Sequence, residues 1–139
     1  DPESNLPYSF EQNGATLENA ARLHDAGVKV AIGINTHNIR LAPQNAGNAV
    51  ANGLPYEAGL ASLTTVPAQI YGVDKQIGSL RAGMQADVVV WSGDPLEVMH
   101  APTNVIINGV EVPLESRQTK LRDRYLKIDN DKPQQYTRP

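Results

Sequence analysis

The stretch that most limits how this chain can fold is residues 77–96, IGSLRAGMQADVVVWSGDPL, followed after a short gap by residues 104–112, NVIINGVEV. Gly78 and Gly83 bracket a turn, and residues 86–91 then form a β-branched run of the kind that fills a sheet buried on both sides. Asn108-Gly109 lies between the strand-like segments VII and VEV. A type I′ turn needs positive φ at both central residues, and Asn-Gly supplies it, so the sequence predicts a tight hairpin that closes the sheet. Asp87 sits at the mouth of the first strand, just after a glycine turn. A carboxylate there accepts backbone N–H groups and orders the turn, and this reading is preferred to a catalytic one.

Upstream the periodicity is helical. Residues 16–26 predict a helix with Leu17, Ala20, Ala21 and Leu23 as its apolar side, Thr16 as N-cap and Gly27 just past its end. Residues 28–33, VKVAIG, are apolar on both faces apart from Lys29, the mark of a parallel strand covered by helices. Such a strand needs a parallel neighbour, reached by a crossover of about a dozen residues. Only one helix and the polar, Pro-containing residues 1–13 precede it, so it has no partner of its own kind in this chain. Residues 34–44 form a polar loop carrying Asn35, Thr36, His37, Asn38 and Arg40. Two helices follow. One spans about 43–52 and ends at Gly53; the other starts with Pro55 in its first turn, points Leu60 and Leu63 at a core, and is broken by Pro67 before Gly72.

Composition removes several function classes. Cysteine is absent, which excludes disulfides and thiolate metal sites. No apolar run approaches the roughly 18 residues of a membrane span. Net charge is −3 overall, yet residues 117–139 hold seven Lys or Arg against three Asp, a balance of +4 that leaves −7 elsewhere. The basic residues of 116–128 alternate with Leu121, Tyr125, Leu126 and Ile128 at helical spacing, which reads as the solvated face of a docked helix rather than as a nucleic-acid or membrane surface.

Taken together, residues 28–33 and the run AGLASLTTVPAQIYGVDKQIGSLRAGMQADVVVW resemble the metal-dependent amidohydrolase superfamily, in its imidazolonepropionase-like or prolidase-like branch. The spacing of Thr64, Pro67, Ala68, Gly72, Gly78, Gly83, Ala86 and Asp87 carries the likeness, over about residues 15–112. The resemblance implies an α/β fold: the C-terminal β/α portion of a TIM barrel plus the last strands of its flanking β-sandwich. Residues 1–72 would belong to the barrel, 73–115 to the sandwich, and 116–139 to a C-terminal helix and tail. It also implies one or two divalent metals, zinc above all, that activate water to hydrolyse C–N bonds. The residues here cannot close such a site. The three histidines, His24, His37 and His100, form neither HxH nor HExxH.

Where the resemblance places Gly-Ser/Thr-Asp at the end of the eighth strand, this chain has Gly33-Ile34-Asn35. An Asn amide offers a neutral carbonyl to a metal but takes up no proton near neutral pH. Loss of a positioned base costs about 10²–10⁴ in rate. Asn35 and His37 are therefore the candidate catalytic pair, Asn35 is also the candidate metal ligand, and Thr36, Asn38 and Arg40 are candidate substrate contacts at the rim where barrels of this kind work. The expected reading is the C-terminal segment of a C–N hydrolase, inactive and without metal by itself, with an amide substrate and the rest of its own polypeptide as partners. Two rivals stand beside it: a binding or regulatory protein on the same scaffold, motivated by Asn35, and a self-contained interaction domain. The uncovered apolar strands also predict self-association of the isolated chain. Sedimentation should show a species larger than a monomer that grows with concentration; a strict monomer at high concentration would contradict this.

Overall fold

Three helices of this chain close at a glycine. After the first helix, Gly27 at φ 80° donates its N–H to the His24 carbonyl (2.8 Å) while Val28 donates to that of Leu23 (2.9 Å). This paired closure satisfies carbonyls that the helix leaves open and requires a left-handed residue. The same pair recurs at Gly53 and at Gly72. The computed structural model describes residues 16–34 and 37–126. Its elements are α1 (Asn19–Asp25), a 3-10 turn (Ile39–Leu41), α2 (Ala42–Ala51), α3 (Tyr56–Ala61), α4 (Thr65–Ile70), β1 (Val88–Trp91), β2 (Pro102–Ile107), β3 (Val110–Val112) and α5 (Arg117–Leu126).

The three strands form one antiparallel sheet in the order β1-β2-β3. Asn108 at φ 51° and Gly109 at φ 78° make the expected I′-type hairpin turn. Asp87 holds that turn from across the sheet: its Oδ1 accepts the Asn108 N–H at 2.7 Å, and Gly109 donates to the Ala86 carbonyl at 2.9 Å. The carboxylate is thus a structural acceptor. The register slips between Val90 and Trp91, where Trp91 pairs with Pro102 and Val90 with Asn104. Pro102 can open a strand because its missing N–H is not needed there.

The two halves of the chain meet at Leu96, which is 6 % exposed. Gly47 and Gly59 make the notch it fills. A Cβ at Gly47 would collide with the Leu96 carbonyl, and one at Gly59 would stand 2.5 Å from Val50 Cγ2 and 3.3 Å from Leu96 Cδ1. Ala46, fully buried, and Leu54 complete the helical side of this small core. A second close approach lies at Gly78, where a Cβ would come within 2.7 Å of the buried Ala68.

Several expectations fail on packing grounds. Residues 28–34 carry no β-ladder; beyond the helix closure at Val28, their backbone is tied down by a bond from the Ile32 N–H to the carbonyl of Ser62 at 3.2 Å. A strand is defined by its neighbour, and none is present among the described residues. Thr16 is not the cap of α1; the helix begins three residues later, and Thr16 gives its carbonyl to a preceding turn and its side chain to a bond with Glu18. Pro67 is not the breaker either. The break falls at residues 62–64, and Pro67 sits in the first turn of α4, where a missing N–H is harmless. β1 is not buried on both sides, for Val89 and Val90 are 44 % and 46 % exposed on an edge strand. None of the residues of α5 is buried, so it is no docked helix here; a reciprocal pair of bonds between Ser116 and Thr119 caps it instead. Residues 127–139 lie outside the described residues.

The notch predicts its own mutational signature. Leu96→Ala should lower the unfolding free energy by about 2–5 kcal/mol, and Gly59→Val should destabilise by about 1–3 kcal/mol through overpacking. Gly33→Ala, where a Cβ meets nothing within 4 Å, should change it little. Urea unfolding followed by circular dichroism checks all three.

Candidate functional site

The polar segment after residues 28–34 leads into α2. Asn35 and Thr36 lie outside the described residues, so their candidate roles rest on sequence. His37 follows in an exposed bend, Asn38 is half-buried, and Arg40 is exposed within the 3-10 turn. The Leu41 N–H donates to the Asn38 carbonyl at 3.0 Å and shapes that turn. The sequence thus keeps His37, Asn38 and Arg40 on one short, solvent-facing connection. Ser62 anchors the base of this region. It is completely buried, its hydroxyl donates to the Gly59 carbonyl at 2.6 Å, and its own carbonyl receives Ile32.

Arg40 does not stand alone. Together with Gln44 at the start of α2 it forms one wall of a groove of about 180 Å³ whose other wall is Trp91, Pro95, Glu97 and His100. The sequence reading placed Trp91 in a strand of a covered sheet. What was missed is that the loop between β1 and β2 folds back on the helical half. The signal was present in SGDP. Asp94 Oδ1 accepts the Leu96 N–H at 2.8 Å, an Asx turn that Asp-Pro favours, and Gly93 leaves room for the His100 ring.

Asp94 also reaches across the halves: the Tyr56 hydroxyl donates to its Oδ1 at 2.9 Å. This bond to a carboxylate holds the phenol above the ordinary tyrosine range, with desolvation and the charges of Asp94 and Glu57 adding to it. The remaining histidine, His24, is exposed in the last turn of α1. Among the described residues no three His, Cys, Asp or Glu side chains converge as a metal site. No helix of the described residues is long and apolar enough to cross a membrane.

Because the phenol is raised in the folded state, its contribution to stability is complete below the ordinary tyrosine pKa of about 10 and is lost as pH rises through the raised value. Asp94→Asn should bring the Tyr56 titration down toward the ordinary range, and Tyr56→Phe should remove that raised titration altogether. Ultraviolet titration of the folded chain against both variants checks this.

The profile of the amidohydrolase family matches residues 4–113. An amidohydrolase from Thermotoga maritima superposes with a TM-score of 0.71 at 34 % identity, over 81 % of this chain and 30 % of its own. A prolidase-like protein from Bifidobacterium longum gives 0.61 at 28 % identity, over 82 % of this chain and 31 % of its own. The amidohydrolase tasK of Hapsidospora irregularis is 53 % identical over 57 residues, which are 41 % of this chain and 6 % of that protein. The chain therefore spans less than a third of the length of each of these relatives.

Proposed function

The chain belongs to the amidohydrolase family, and we propose that it forms the C-terminal part of a metal-dependent hydrolase of carbon–nitrogen bonds in amides, cyclic amides or peptide-like substrates. The observation that carries this reading is the family match over residues 4–113 together with a superposition that covers 81 % of this chain but 30 % of the Thermotoga structure. In this proposal residues 1–72 complete the end of a (β/α)8 barrel, 73–115 supply the last strands of a flanking sandwich, and 116–139 form the final helix and tail. The thin core supports it. Among the described residues the buried apolar side chains apart from Leu54 and Leu96 are alanines, while Val28, Val89 and Val90 stand exposed, as surfaces do that a larger body covers.

The family is generally metal-dependent. The described residues do not by themselves fit a metal, since no ligand cluster is found among them. The proposal therefore assigns the ion, zinc by preference, to the rest of the polypeptide, with Asn35 as at most a neutral ligand. His37 then becomes the proposed proton-carrying group. Thr36, Asn38 and Arg40 are proposed as substrate contacts. By itself the segment is expected to be inactive.

Asn35 favours one alternative, a binding or regulatory protein on the same scaffold. The two readings part in the complete protein. The hydrolase reading predicts a stoichiometric divalent ion, a drop in turnover of about 10²–10⁴ on His37→Ala, and a smaller drop on Asn35→Ala. Asn35→Asp should keep or strengthen metal binding, because an anionic oxygen replaces a neutral one. Metal content and amide-hydrolysis rates from about pH 5 to about 9 decide it. A metal-free protein with no hydrolysis of any amide tried, unchanged by Asn35→Asp, would leave the binding reading.

A further inference from the structure

The groove between Arg40 and Trp91 joins residues that lie far apart in the chain, and its chemistry is specific. Arg40 contributes a guanidinium that stays charged at any working pH and can hold a carboxylate through two parallel bonds. Glu97 lines the same groove. Neither side chain has a hydrogen-bond or ion-pair partner among the described residues, so the two charges line one groove from opposite walls without neutralising each other. Between them lie the apolar surfaces of Leu41, Trp91, Pro95 and Leu96, with Val98 at the edge.

The wall is also held in place. Leu96 is fixed in the glycine notch, Pro95 follows the Asx turn of Asp94, and the Tyr56 hydroxyl secures Asp94 from α3. The slip in strand register falls at Trp91, and irregularities of this kind re-aim a side chain away from the sheet's regular alternation. Trp91 is the residue of β1 that lines the groove. A volume of about 180 Å³ is below the roughly 300 Å³ at which pockets for drug-sized ligands begin, so it suits a single small residue.

We propose that this groove binds an α-carboxylate carried by a small apolar residue: the carboxylate at Arg40, the side chain against Trp91 and Leu96. Two sources offer that chemistry, a free amino acid and the C-terminal residue of a peptide. Glu97 lies where a free ammonium group would be welcome, which favours the free amino acid. The assignment deepens the proposed role of Arg40 and rests on the hydrolase reading only for the step from ligand to substrate or product; the binding itself does not need turnover.

Trp91 is the only tryptophan of the chain, so its fluorescence reports on the groove alone. The full chain is titrated with L-leucine, with N-acetyl-L-leucine as a stand-in for a peptide terminus, and with L-leucinamide, which lacks the carboxylate. A saturable change with at least one of the two acids and none with the amide supports the proposal, and the tighter acid identifies the source. Arg40→Gln should weaken that binding by about tenfold or more, Arg40→Lys by less, and Lys29→Gln not at all. Arg40 is exposed and unpaired, so these variants should fold, which circular dichroism checks. The proposal is overturned by any of three results: no saturable change with either acid up to about 10 mM, an equal response to leucinamide, or an unchanged titration in Arg40→Gln. Loss of the hydrolase reading would show in metal content and rates, not in this titration.

Discussion

One leucine in a notch between two glycines decides how this chain is put together. Leu96 stands midway along the loop that joins β1 to β2, and it reaches the helical half only because Gly47 and Gly59 have no side chains in its path. The approach of its backbone to α2 is closer than any Cβ would permit. Asp94 prepares the loop by accepting the Leu96 N–H and receives Tyr56 from α3, so one carboxylate sets both the shape of the loop and its seat. Charged or polar acceptors placed this way fix geometry more than they add net stability. The gain in free energy comes from burying Leu96, Leu54 and the alanines around them.

That junction explains what the family membership means for function. Enzymes often keep their chemistry on connections held by a rigid scaffold, and residues 37–40 are a solvent-facing connection that is carried into α2, near the buried Ser62. The loop from the sheet comes back to meet them. The sheet half is thus more than a cover: it contributes Trp91, Glu97 and His100 to the surface next to Arg40.

Much of this was legible from residue types. Gly27, Gly53 and Gly72 announced the helix ends because a left-handed closure has few other tenants, and Asn108-Gly109 announced the hairpin for the same reason. Asp87 was correctly read as a turn acceptor. What could not be read was anything set by neighbours. The apolar residues 28–33 and 88–91 have the composition of covered strands, yet composition states a need for cover and not its presence; the first has no ladder and the second is an edge. Pro67 misled because proline breaks helices in their interior and is tolerated in their first turn, and sequence alone did not show where the turn began. The groove was invisible because it depends on the return of the loop, a contact across more than forty residues. Asn35 and Thr36 fall outside the described residues, so their part of the rim rests on sequence.

The central claim is that the helical and sheet halves form one cooperative unit through Leu96. Native-state hydrogen exchange in rising denaturant tests it most directly, by comparing the Gly59 and Ser62 amides of the helical half with the amides of the β1–β2 ladder. The account predicts that both sets merge into one unfolding transition, and that in Leu96→Ala they separate into two. Two separate transitions in the unaltered chain, with the sheet or the helices opening alone and Leu96→Ala leaving that pattern unchanged, would contradict it.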